Sequence, residues 1–98
     1  MVYFIQCCDN AGYIKIGYTT THVRAGQLHT AREALALRMS SIQSSCPYPL
    51  KALGVTSGDP REERFLHARF ASLRVRGEWF SPGLDLIAFI RDCTYLPR

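Results

Sequence analysis

Long apolar runs are missing from this chain: stretches such as Leu84 to Ile90 are interrupted by charge and far too short to cross a bilayer. Missing too is a basic start with a small-residue cleavage site, so the N-terminus does not read as a signal peptide, and a cytoplasmic protein without membrane contact is expected. The four cysteines, Cys7, Cys8, Cys46 and Cys93, lack Cys-x-x-Cys spacing, and the three scattered histidines add no zinc pattern. Reduced, mostly buried thiols are expected. Adjacent Cys7 and Cys8 on a strand would face opposite ways, which argues against joint ligation of one ion. Without repeats, low-complexity runs or linkers, the chain is expected to form a single domain over residues 1–98.

Lysine is also scarce. Ten of the twelve basic residues are arginine, the net charge is +4, and Arg61, Arg64, Arg69, Arg74 and Arg76 crowd one short stretch. Arginine forks match phosphate oxygens, which points to a polyanionic partner; a solvated helix face would look the same in composition. The 47% apolar fraction with 20% charge belongs to a soluble globular domain.

Val2 to Cys7 and Tyr13 to Gly17 are two strand-like runs around Asp9-Asn10-Ala11-Gly12, a β-hairpin in which Asp9 would pair with Tyr13 across a type I turn and glycine bulge. Val2, Phe4, Ile14 and Ile16 then share one face, and Tyr3, Ile5, Cys7, Tyr13 and Lys15 the other. Leu28, Ala31, Leu35, Met39 and Ile42 recur at helical spacing, which predicts one long helix or two short ones between about Val23 and Gln43, stopped by Pro47 and Pro49. Arg24 and Arg38 lie on or beside that apolar stripe, where snorkelling to the surface is a commoner explanation than function.

Leu50 to Thr56 reads as a third strand, broken by Ser57-Gly58. Asp59 then suits a helix N-cap, with Pro60 in the first turn and Glu62 as the returning half of a capping box. Glu63 has no such task. It borders the buried stripe beside Leu66, His67 and Phe70, either paired with an arginine or held for chemistry. Gly77-Glu78-Trp79-Phe80 supplies a turn and two core aromatics, with Glu78 satisfying a neighbouring backbone group or arginine. Ser81-Pro82 caps a last helix running to about Cys93.

In order, Met1-Val2-Tyr3, Lys15-Ile16-Gly17, Arg38 ahead of Ile42-Gln43 and Cys46-Pro47-Tyr48-Pro49-Leu50, Glu63 ahead of Leu66-His67, and Gly77-Glu78-Trp79-Phe80 form a pattern. It resembles the GIY-YIG nuclease superfamily, in its short phage and bacterial branch. The resemblance implies a small α/β domain, a three-stranded sheet flanked by helices, that hydrolyses DNA phosphodiester bonds with Mg²⁺ or another divalent cation. It implies Tyr3 beside the attacking water, Arg38 on the scissile phosphate and Glu63 as metal ligand.

Three departures from the superfamily's pattern stand out. Lys15 replaces the second signature tyrosine, and on the Tyr3 face it would lower the phenol's pKa or bind phosphate. Spacing from Gly17 favours Arg24 as the phosphate-binding arginine, whereas the downstream register favours Arg38 and makes Thr20 to about Ala34 an insertion. Met1-Val2 stands where the superfamily has Gly-Ile, at structural positions. His67, one turn after Glu63, would orient a metal-bound water, contact phosphate or simply bond a neighbour. Arg24, Arg64, Arg74 and Arg76 are the candidate DNA-binding residues, giving mainly electrostatic affinity. A DNA-binding module that does not cleave is the alternative.

Overall fold

The computed structural model describes residues 1–21, 23–24, 27–28 and 30–97, with the side chains of residues 23–24 and 27–28 left aside. Five antiparallel strands form the central sheet in the order β5-β1-β2-β7-β6. They are β1 (Val2–Cys7), β2 (Ile14–Tyr18), β5 (Leu50–Thr56), β6 (Arg74–Arg76) and β7 (Trp79–Phe80), while β3 (Val23–Arg24) and β4 (Gln27–Leu28) make a separate two-stranded ribbon. The sheet is thus larger than the three strands the sequence suggests. The expected hairpin and third strand are present, and the β6–β7 hairpin extends the sheet beyond β2.

Central position explains why β1 is apolar almost throughout. It pairs with β2 on one side and β5 on the other, and both of its faces are covered. On one face Val2, Phe4, Ile14, Ile16 and Phe80 pack against Leu66 and Phe70 of helix α2 (Pro60–Arg69) and its end, and against Leu86 and Ile90 of α3 (Leu84–Cys93). On the other, Tyr3, Ile5 and Val55 pack against Ala34 and Leu35 of α1 (Ala31–Gln43). Truncating a fully buried side chain such as Phe4 to alanine would cost about 3–5 kcal/mol, a large share of the stability of a small domain.

The expected face assignment of the hairpin holds, but its register differs. Tyr3 pairs with Gly17 and Ile5 with Lys15, and the Cys7 amide donates to the Tyr13 carbonyl at 2.9 Å, so Tyr13 lies opposite Cys7 and not Asp9. A shift of two residues leaves every side chain on its expected face. The longer loop is held by Asp9, whose Oδ1 accepts from the Ala11 and Gly12 amides, and by Gly12 at φ +66°.

Helix α1 is shorter than the periodicity suggests. Thr30 and Glu33 form a reciprocal capping box that starts it at Ala31, and Leu28 falls in β4. At α2 the Asp59 side chain accepts from the Arg61 and Glu62 amides, with Pro60 in the first turn. Glu62 makes no return bond among the described residues, so the expected capping box there is replaced by a simple N-cap. Gly83, without a side-chain cap, precedes α3 in place of Ser81-Pro82. Of the cysteines only Cys7 is buried, while Cys8 and Cys93 are exposed and Cys46 is intermediate, against the expectation of mostly buried thiols. Trp79 is half-buried, and only Phe80 of that pair belongs to the core.

Candidate active site

Tyr3 is the second residue of β1, 2% exposed, opposite Gly17 on β2. A side chain at Gly17 would collide with the Tyr3 ring and hydroxyl, so the glycine is what lets the phenol lie across β2. The hydroxyl makes no hydrogen bond to the described residues, yet no buried side-chain polar atom among them lacks a partner. The hydroxyl therefore reaches the surface while the ring stays buried.

Three charged residues from three other parts of the chain act on this phenol. Burial pushes Tyr3 up to about 12, the Arg38 guanidinium of α1 pulls it down, and the carboxylates of Glu78 and Glu63 add to the rise. This corrects the expectation of a tyrosine acidified by lysine. Lys15 does face the same way, but its Nζ pairs with Glu78 Oε2 at 3.1 Å, which cancels much of its field, and it lies 5.5 Å from the Trp79 ring centre. At neutral pH the Tyr3 hydroxyl keeps its proton.

Helix α2 delivers Glu63 to this region through a contact made one turn later. His67 Nε2 lies 2.8 Å from the Ile16 carbonyl and must donate to it, while its ring packs 5.2 Å from that of Phe80. Since the Ile16 amide donates to the Glu78 carbonyl, β7 and His67 share the same edge of β2. Glu63 is partly buried and has neither an ion pair nor a hydrogen bond among the described residues, so no arginine partner accounts for it there.

The donor set limits what ion could be held. No group of three or more His, Cys, Asp or Glu side chains is gathered for a metal among the described residues. A lone carboxylate such as Glu63 suits a hard cation that keeps most of its waters, as Mg²⁺ does, and not a closed zinc cage.

Arg38 is exposed on α1. Arg64 is exposed on α2, Arg74 donates from Nε to the Gly77 carbonyl at 2.6 Å, and Arg76 lies on the open edge strand β6. The Arg24 side chain lies outside the described residues. Glu78 was underrated by sequence reasoning, which paired it with backbone or an arginine; the signal that would have raised it is a β7 strand pairing Trp79 with Lys15, which brings the preceding glutamate to that lysine.

Together these features define a small α/β protein in which a buried tyrosine on β1 feels the charges of one arginine and two glutamates from other elements. The family model for the T5orf172 domain matches residues 1–93, and the chain belongs to that family. This overturns the resemblance to the GIY-YIG superfamily, for which no family model matches. The T5orf172 domain is associated with nuclease-like and DNA-binding-like function. No curated protein and no solved structure matches the chain. No helix among the described residues is long and apolar enough to cross a membrane.

Proposed function

We propose that this protein is a metal-dependent DNA endonuclease that hydrolyses phosphodiester bonds, with Tyr3, Arg38 and Glu63 as its principal residues. The observation that supports the reading is Glu63, a partly buried carboxylate with no ion pair among the described residues, on the helix that His67 ties to β2, with its charge and those of Arg38 and Glu78 acting on the buried Tyr3 phenol. Packing alone does not call for such groups, and in-line attack on a phosphodiester uses them. It needs countercharge for the phosphoryl oxygens, a site for a cation and a group that positions the water.

Arg38 supplies a planar two-pronged donor set for the scissile phosphate. Glu63 is the carboxylate available to a divalent cation, which when bound supplies Lewis-acid countercharge at the phosphoryl group. Tyr3, protonated at neutral pH, acts as a hydrogen-bond donor that orients the water or a phosphoryl oxygen, and not as the base. His67 is a positioning residue that ties α2 to β2 and so places Glu63. Glu78, paired with Lys15, adds to the field on the phenol, and Arg64, Arg74 and Arg76 add non-specific attraction for the DNA backbone.

A DNA-binding module that does not cleave is the second reading, favoured by the sparse donor set around Glu63. Supercoiled plasmid incubated with the protein and Mg²⁺, with and without EDTA, separates the two. EDTA-sensitive nicking is expected. Binding without nicking would establish the second reading.

A further inference from the structure

Helix α1 covers only part of its face of the sheet. Its buried contacts, Ala34 and Leu35, sit over β1 and β5, while Tyr13, Lys15 and Trp79 of the hairpins remain half-buried. Beside them a cavity of about 290 Å³ is lined by Cys7, Tyr13, Cys46, Val75, Arg76 and Trp79. A second cavity of about 430 Å³ shares Trp79 and Cys46 with the first and is lined on its polar side by Lys15, Ser41 and Ser45. The first is an apolar slot walled by two aromatics, with Arg76 among its lining residues. The second offers two hydroxyls and the Lys15 ammonium, which Glu78 Oε2 also contacts at 3.1 Å.

We infer that the slot is a nucleobase subsite, in which an unpaired or extruded base stacks on Trp79 while its sugar and phosphate lie toward Lys15 and the two serines. This rests on the reading above that the surface binds DNA, and adds what that DNA must present. The lining selects the occupant: Tyr13 and Trp79 give an apolar aromatic floor suited to a flat ring, with Arg76 and the Glu78-paired Lys15 beside it, as in surfaces that stack bases and follow a phosphate backbone. The bulge in β6 contributes directly, since Trp79 pairs with Arg76 while Val75 is the extra residue, and both reach the slot. Continuity with the candidate active site is built into β2. Lys15 and Gly17 are two residues apart, about 7 Å along the strand, so the slot serves a nucleotide neighbouring the phosphate held at Tyr3 and Arg38. A base inside a duplex stack cannot enter such a slot, so the substrate class is DNA with an unpaired nucleotide or one that the protein extrudes.

Trp79 is the only tryptophan of the chain, so its emission reports on the slot directly. The full chain, without divalent cation, is titrated with single-stranded oligonucleotides carrying 2-aminopurine and with abasic oligonucleotides of equal length. Base-dependent quenching of both Trp79 and 2-aminopurine is expected, with the abasic strand bound but leaving Trp79 emission unchanged. Trp79→Leu is expected to weaken binding of the base-containing strand roughly 5- to 100-fold and to leave abasic binding unaltered. Tyr13→Ala, which removes a wall without touching the β2–β7 pairing, is expected to weaken binding in the same base-dependent manner. Equal quenching by both strands, equal losses of affinity in the variants, or no binding of either strand overturns the subsite. Plasmid nicking without base-dependent quenching overturns the slot alone, and base-dependent quenching without nicking supports the slot and overturns the nuclease.

Discussion

The Tyr3 phenol lies across Gly17, in the space that any larger residue at that position would need. This packing relationship sets the chemistry of the site. It buries the ring and raises the phenol to about 12, with the charges of Arg38, Glu78 and Glu63 acting on it as smaller effects of mixed sign.

Replacing Gly17 with alanine tests that relationship. The added methyl would overlap the Tyr3 ring and hydroxyl, and relief requires moving β1 or the ring. A loss of about 1–3 kcal/mol is expected in denaturant unfolding, as for other overpacked sites. Nicking should fall as well, because the hydroxyl is displaced.

Alkaline titration followed by phenolate absorbance should show one of the five tyrosines ionising near pH 12, a step that Tyr3→Phe removes. The unfolded phenol releases its proton near 10 and the folded one near 12. Below pH 10 the neutral form is favoured in both states and stability is unaffected; between 10 and 12 the unfolded state alone ionises, so about 2–3 kcal/mol is lost as pH rises. Tyr3→Phe should lack that decline. Its nicking rate should drop while DNA binding persists, and unchanged turnover would remove Tyr3 from the mechanism.

Changing either neighbouring charge should move the same titration in a known direction. Glu78→Gln removes a carboxylate that raises Tyr3 and frees Lys15, so the tyrosine should titrate at lower pH; Arg38→Met removes the guanidinium that lowers it, so it should titrate higher. An unmoved titration in both variants would show that these charges do not reach the phenol.

Glu63→Ala is expected to abolish nicking and to preserve the fold, judged by circular dichroism and the unfolding midpoint. Glu62→Ala is the matched control. With no capping bond to lose, it should change stability by about 0.5 kcal/mol or less and keep activity. Cleavage by Glu63→Ala at the wild-type rate with Mg²⁺ would falsify the metal assignment.

Arg38→Lys keeps the charge and loses the fork. Nicking should fall by about 10²–10³, the range for removing one preorganised donor to a developing oxyanion, with stability unchanged because the side chain is exposed. A mild effect would transfer phosphate binding to another arginine.

Much of the framework follows from local signals. The hairpin is legible from two strand-like runs around a turn, and its face assignment survives the longer loop because a two-residue shift keeps Tyr3 and Lys15 on one face. Leu50–Thr56 stands out between Pro49 and Ser57-Gly58, and Asp59-Pro60 announces α2, because prolines, glycines and caps act on their own neighbours. The segment Thr30-Ala31-Arg32-Glu33 carried the start of α1 as well, in a capping-box signature masked by the helical spacing that includes Leu28.

The rest belongs to the tertiary structure. Strands β6 and β7 are three and two residues long, too short for alternation to show, and they become strands only because β2 presents an unpaired edge. That pairing brings Glu78 to Lys15, 63 positions away in sequence, and the His67 bond to Ile16 spans 51 more. Whether Tyr3 is acidified by lysine or held protonated by burial is decided by these long-range contacts. The sequence determines which residue types face the site. Their fields and protonation depend on distances that only the closed chain sets, because electrostatic coupling and desolvation vary with position in space and not with position along the backbone.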